Sequence, residues 1–395
     1  MLAALARRLA AAVSPSVPPV VPRRILFWES GGLGDMVSAL PALRALRRAW
    51  PGAAITALVS PAGARLLDLV PGLCHHRYLF DPAGRHRGAA AKLRLALRLR
   101  REGYDLVFSP GRGEGAREQA ILAWLTGAPH RAGFAFPGEP SPYTVSLPLR
   151  ADRSLAAQRL DLVGRLCGGD RIRRPPLAAG ESGSVPMPPP PEPSPAQQQA
   201  ARGIVARMAG RGPLVLLQPG AAWQAAYRCW PPDHYATLAT RCARELGARV
   251  LVVGAPSEHP LLERIVAAGG TPDIASCDEG IDLGTLMALL SSAAVFVGAD
   301  SGPLHLARWL GVPRVGLFGA TDPRQVLGAE PDALRADLPC SPCYLHQPEF
   351  RPGCRPVPVA PCMAAIAVPA VFARVRGILE GGPRARSTRC HGVRQ

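Results

Sequence analysis

Lysine is all but missing: Lys92 is the only one in a chain of 395 residues. The 46 basic side chains are therefore nearly all arginine, set against 29 acidic ones for a net charge of +17. With abundant alanine, proline and glycine, this reads as compositional bias rather than as a selected basic patch. Aromatics are scarce and do not interleave with the arginines, which argues against a nucleic-acid binder that stacks bases. A basic surface still favours anionic partners, among them acidic lipids and phosphorylated substrates. No stretch approaches the roughly 18 apolar residues that a membrane span needs. A signal peptide is not read either, because Arg7 and Arg8 interrupt what would be its apolar core. Leu2, Leu5, Leu9 and Val13 fall at helical spacing. Residues 1–23 are thus an N-terminal extension, with a short basic amphipathic helix at a membrane surface as the other reading. Ten cysteines in such a chain indicate a reducing, cytoplasmic compartment rather than a disulfide scaffold.

What is present is a pattern. The length exceeds one ordinary core and fits two domains. Apolar runs at 25–28, 55–59 and 106–108 alternate with helical patterns from Met36 and at 62–70. Residues 174–199 are rich in proline and read as a stiff, extended connector that regular helix cannot occupy. A second series follows, with strands expected at 214–217, 250–253, 295–297 and 315–318. Helices are expected near 233–246, 258–267 and 283–290 and from Pro303. The fold class is α/β, with two open, doubly wound parallel sheets and a cleft between them.

The stretch from Val295 to Pro323 is the most informative. A charge-free strand is followed by Asp300-Ser301-Gly302-Pro303-Leu304-His305, in which a helix starts at Pro303. Gly302 permits close backbone approach, and the helix N-terminus is an anion site suited to phosphate. An ordinary strand-to-helix turn is the plainer alternative. The first half has its own glycine turn, Ser30-Gly31-Gly32-Leu33-Gly34-Asp35. It partly fits a dinucleotide fingerprint, but the second strand ends at Leu58-Val59-Ser60 without the acid that would bind ribose. Asp35 also sets a negative charge where a pyrophosphate would lie. It suits acceptance of a proton from a bound hydroxyl, or else serves the helix dipole.

Taken together, these motifs resemble those of the heptosyltransferases of glycosyltransferase family 9, which add heptose to the inner core of lipopolysaccharide. The resemblance rests on Gly32-Leu33-Gly34-Asp35 with Leu40-Pro41-Ala42-Leu43-Arg44, Gln218-Pro219-Gly220-Ala221 with Arg228-Cys229-Trp230-Pro231, and the segment from Gly254 to Glu258. Asp300-Ser301-Gly302-Pro303-Leu304-His305 with Phe318-Gly319-Ala320-Thr321-Asp322-Pro323 completes it. It spans roughly residues 24–380. It implies a GT-B fold of two Rossmann-like domains: acceptor binding at 24–172, a linker at 173–199 and donor binding at 200–368. A helix at 369–380 would pack back on the first domain, and 381–395 would be a disordered tail.

The resemblance also implies roles. Asp35 would be the general base for an inverting transfer, in a turn whose Gly32 and Gly34 face the acceptor. Arg228 stands where the family usually has lysine and would neutralise the diphosphate. Gly220, Glu258, Asp300, Ser301, Gly302, Leu304 and His305 would hold the donor, with Glu258 on a ribose. The segment Ala222-Trp223-Gln224-Ala225-Ala226 lacks the hydroxyls that touch phosphate in some members. The donor implied is a nucleoside-diphosphate sugar such as ADP-heptose, and the acceptor a glycolipid or glycan met at the cytoplasmic face of the inner membrane. No cofactor is required. Cys340, Cys343, Cys354 and Cys362 could hold a structural metal, as in related iron-containing protein heptosyltransferases, but unmetallated thiols are the preferred reading. Transfer with another donor or to a protein acceptor, a non-catalytic sugar-nucleotide binder and a dinucleotide oxidoreductase are the alternatives.

Overall fold

The computed structural model describes residues 21–112, 115–136, 138–139, 141–168, 185–220, 227–277, 280–328, 333–343 and 359–381. The expectations for residues 1–20, for Ala222 to Ala226, for Cys354 and for the tail beyond 381 lie outside these. Contacts divide the chain into two units. The first takes residues up to 191 with 320–331 and 342–353, and the second takes the rest.

The first unit is built on β1 (Arg24–Glu29), β2 (Ala54–Val59), β3 (His76–Leu79), β4 (Leu106–Phe108), β5 (His130–Ala135) and β6 (Val145–Pro148). Helices α1 (Leu33–Ala49), α2 (Pro61–Leu69), α3 (Ala89–Arg101), α4 (Ala116–Leu125) and α5 (Leu155–Leu166) connect or flank them. The sheet order is β3-β2-β1-β4-β5-β6, and every pairing is parallel. Helices on both faces bury central strands twice over, so β1 and β4 read as continuous apolar runs.

The second unit repeats that plan. Its strands are β7 (Leu214–Gln218), β8 (Arg249–Val253), β9 (Ile274–Cys277), β10 (Val295–Ala299), β11 (Arg314–Phe318) and β12 (Ala333–Arg335). Read from β9, the order β9-β8-β7-β10-β11-β12 is the first unit's order over again, also all parallel. Its helices are α6 (Pro195–Ala206), α7 (Pro232–Leu246), α8 (His259–Gly269), α9 (Leu283–Ser292) and α10 (Gly302–Trp309). After them come α11 (Pro323–Val326, grouped with the first unit), α12 (Pro361–Ala364) and α13 (Val368–Glu380).

Three expectations are corrected. Helix α6 begins inside the proline-rich connector: Pro195 occupies the first turn, where its missing N–H costs nothing. Ser194 and Gln197 cap the start reciprocally. Helix α13, expected to return to the first half, buries Val371, Phe372 and Val375 and packs on α7 of its own unit. There Arg376 pairs with Glu245 at 3.2 Å and Arg241 lies 3.8 Å from the centre of the Phe372 ring. The described residues of 320–331 and 342–353, which the sequence places with the donor half, group with the first unit. They bond to each other, with Cys343 N donating to Ala320 O at 3.0 Å. Among the described residues no helix is long and apolar enough to cross a membrane.

Candidate active site

In open parallel sheets ligands sit outside the carboxyl ends of the strands, where the strand order reverses. In the first unit that point lies between β1 and β4, in the second between β7 and β10. The residues singled out in the sequence cluster at these two places.

At the first, β1 ends on Glu29 and the chain turns through Ser30, Gly31 and Gly32 into α1. Gly31 is dictated by space, since a Cβ there would stand 2.6 Å from the Cβ and Oδ2 of Asp35. Gly32 is the extended N-cap and Gly34 lies in the first turn. Asp35 Oδ2 accepts the Gly32 N–H at 3.1 Å, and Oδ1 accepts from Arg112 Nη2 at 2.7 Å. The Asp35 carbonyl accepts from Ser38 Oγ at 2.8 Å and Arg159 Nη1 at 2.9 Å.

Arg159, 1% exposed, also pairs with the buried Glu29 carboxylate, whose other oxygen takes the Gly31 N–H at 2.9 Å. Burial pushes the Glu29 carboxyl above its ordinary range against the opposing pull of Arg159, and burial lowers the Arg159 guanidinium. Two charges taken out of water in this way hold their place only through such hydrogen bonds. They lock the turn that carries Asp35.

At the second point, the carboxyl ends of β7 and β10 meet through side chains. Ser301 Oγ donates to Gln218 Oε1 at 2.6 Å, Gln218 Nε2 donates to the Gly220 carbonyl, and Tyr235 OH donates to the Gln218 carbonyl at 3.1 Å. Because Ser301 is turned to Gln218, it makes no side-chain cap on α10. The first-turn N–H groups of α10 and its positive dipole end therefore suit an anion. Arg228 Nη1 lies 3.2 Å from Asp300 Oδ2, and His305 Nε2 lies 3.7 Å from Asp300 Oδ1. The Arg228 guanidinium also stacks over the Tyr227 ring, 5.5 Å from its centre. The Leu304 side chain is fully buried, so only its backbone can reach a ligand. Glu258 accepts the Ala255 N–H at 2.8 Å, and its carboxylate covers the end of β7 so closely that a Cβ on Gly220 would collide with it.

Thus Asp35, Gly32 and Gly34 come together at the first switch point, and Gly220, Arg228, Glu258, Asp300, Ser301, Gly302, Leu304 and His305 around the second. The sequence reading missed Arg112, Arg159 and the bridging part of Gln218. Arg112 had a signal, since it follows Pro110-Gly111 just past the carboxyl end of β4. Among the late cysteines, Cys340 is exposed, Cys343 half-buried and Cys362 buried. Among the described residues no three metal-ligating side chains are grouped.

Comparison with known proteins agrees with this picture. Residues 180–352 match the model of glycosyltransferase family 9 (heptosyltransferase). Lipopolysaccharide heptosyltransferase 1 of Pseudomonas aeruginosa is 25% identical over 351 residues, which cover 83% of this chain and 88% of that protein. Among solved structures, ADP-heptose lipopolysaccharide heptosyltransferase II of E. coli superposes with a TM-score of 0.66 at 18% identity, over 91% of this chain and 99% of that one. The iron-containing dodecameric glycosyltransferase TibC of enterotoxigenic E. coli gives 0.53 at 14% identity, over 92% and 78%. The GT-B fold is borne out, and so is the resemblance: the chain carries a glycosyltransferase family 9 domain, and the protein is a glycosyltransferase.

Proposed function

We propose that the protein transfers heptose from ADP-heptose to a hydroxyl of a lipopolysaccharide-core acceptor, with inversion at the anomeric carbon. Asp35 takes the hydroxyl proton, the oxygen attacks the anomeric carbon, and the bond to the diphosphate breaks with its electron pair leaving on ADP. Arg228 and the N-terminus of α10 receive that growing negative charge. The observation that carries the reading is the arrangement at β7 and β10, where Ser301 turns to Gln218 and Arg228 stands beside Asp300 at an uncapped helix start. Glu258, over the end of β7, is suited to accept hydrogen bonds from a ribose.

In this reading the unit that carries Asp35 binds the acceptor, and the unit that carries Arg228, Glu258 and Ser301 binds the donor. Base and donor groups lie on different units, so both are required for transfer. The chemistry needs no resident metal, because side chains and backbone supply the positive charge. The work is done in the cytoplasm, where the basic chain can meet the anionic inner face of the membrane.

A panel of nucleotide sugars tests this, read by thermal shift and by transfer to heptose-deficient core lipopolysaccharide. ADP-heptose should stabilise the protein and turn over. A preference for a uridine- or guanosine-linked hexose would contradict the donor assignment.

A further inference from the structure

The first unit carries a helix whose outer face takes no part in the proposed chemistry. Helix α3 lies between β3 and β4 in the chain and contains no acidic residue. Its inner side is core: Leu95, Ala96 and Leu99 are buried in one cluster with Trp28, Leu58 and Val107. Lys92 is tied to Glu118 of α4 at 2.7 Å. At 3.6 residues per turn the opposite side is the row Ala90, Leu93, Arg94, Leu97 and Arg101, all of them exposed.

Exposed leucines are rare here. Among the described residues the exposed large apolar side chains are Val21, Leu79, Leu93 and Leu97, and the last two, 46% and 48% exposed, sit one turn apart on this row. Arginines surround them. Arg94 and Arg101 share the row, and Arg98 flanks it, packed over the Tyr78 ring at 4.7 Å. The exposed Arg85 and Arg87 precede the helix, and no acid occurs between Asp81 and Glu102. Glu102 is itself engaged, by Arg24 at 3.0 Å and by the Tyr78 hydroxyl at 3.2 Å. Arginine bias across the chain accounts for solvated arginines but not for leucines held in water between them. A second copy of this chain would bring the same cations face to face, and like charges oppose that pairing. Residues 1–20 contain Arg7 and Arg8 and no acid, so they offer no complement either. An anionic lipid surface satisfies both kinds of side chain. Leucines enter the boundary between headgroups and acyl chains, while arginine stems lie along it and their forks reach phosphate oxygens.

We propose that the outer face of α3 docks the protein on an anionic phospholipid bilayer, with Leu93 and Leu97 entering the headgroup boundary and Arg94, Arg98 and Arg101 against lipid phosphates. This inference deepens the proposed function by naming the surface that meets the membrane. It rests on that reading only for its purpose, which is to meet a membrane-held acceptor at the surface instead of from solution.

The test is co-sedimentation of the full chain with vesicles of phosphatidylcholine, alone or mixed with phosphatidylglycerol. The wild-type protein should bind the mixed vesicles, leave them as salt is raised, and ignore the neutral ones. Each arginine at such a surface is worth roughly a fivefold gain in partitioning, so Arg94→Gln/Arg101→Gln should weaken binding by about 25-fold. Leu93→Gln/Leu97→Gln leaves the charge unchanged and should weaken it by at least about tenfold, through lost apolar burial. Leu97→Trp should strengthen it, since tryptophan favours the interface. Arg65→Gln/Arg165→Gln removes the same charge from α2 and α5, which pack with α1 and not with α3. It should stay within about twofold of wild type, because charges beyond a Debye length are screened. Equal binding to neutral vesicles, wild-type binding by either α3 double variant, or an equal loss in the α2–α5 control would overturn the proposal. A dimer broken by the leucine changes, with no vesicle binding, would assign the face to a second copy instead. Vesicle binding is read without sugar transfer, so its absence leaves the roles of Asp35 and Arg228 standing. Conversely, a protein that binds vesicles as expected but transfers no sugar would overturn those roles and leave the docking face intact.

Discussion

The two units share one strand order and place an aspartate and an arginine at the same topological point, yet they arrange the pair in opposite ways. In the first, the acid follows the inner strand β1 and the arginine comes from the β4 loop. In the second, the arginine comes from the chain after β7 and the acid directly follows β10. The supports differ as well. A buried ion pair, Glu29–Arg159, fixes the turn at β1, whereas neutral hydrogen bonds from Ser301 and Tyr235 converge on Gln218 at β7. A carboxylate held on a charged scaffold fits proton transfer, and an arginine beside an uncapped helix start fits a diphosphate. The same fold thus offers two sites of opposite electrostatic purpose.

The sharpest way to break this contrast is at Asp35. Asp35→Asn keeps the shape and should lower kcat by about two to four orders of magnitude, measured by release of ADP with saturating acceptor. Near-normal turnover would remove the first site from the chemistry. Next in size is the buried scaffold. Arg159→Met leaves Glu29 without its cation and should cost about 3–5 kcal/mol in denaturant unfolding. The double variant Glu29→Met/Arg159→Met should recover most of that, since an apolar pair of similar volume replaces the ionic one. A double variant as unstable as the single would show that the pair supports more than itself.

At the second site, Arg228→Ala should weaken ADP binding and slow transfer by about a hundredfold, because the charge it balances is present before reaction and grows during it. Arg228→Lys should restore much of both. The smallest effect belongs to Tyr235→Phe, which deletes one neutral hydrogen bond to the Gln218 carbonyl and should cost about 1 kcal/mol in the same unfolding measurement. A loss as large as that of Arg159→Met would erase the difference between the two supports.

Much of the fold was legible because central strands are buried on both faces. The runs at β1, β2, β4, β7, β8, β10 and β11 announce themselves for that reason. Outer strands do not: His76–Leu79 is mostly exposed, and Val145–Pro148 ends on a proline. The start of α6 was hidden by proline content, although Ser194 and Gln197 signal a cap. In the candidate site, local motifs could be read directly, since Asp35 sits three residues past Gly32 and Ser301 directly follows Asp300. Arg112 and Arg159 could not, because they reach Asp35 across 77 and 124 residues of chain, Arg112 from the loop after β4 and Arg159 from α5 packed on α1, and only the tertiary fold brings them there. The packing of α13 on α7 likewise depends on tertiary partners, Glu245 and Arg241, that its own sequence does not name.

The division of labour between the two switch points can be measured in one experiment, calorimetric titration of ADP into the wild-type protein, Asp35→Asn and Arg228→Ala. Asp35→Asn should bind ADP within about twofold of wild type, while Arg228→Ala should bind at least about tenfold more weakly, as loss of a charge-assisted contact requires. Weakened binding in Asp35→Asn together with unchanged binding in Arg228→Ala would contradict that division.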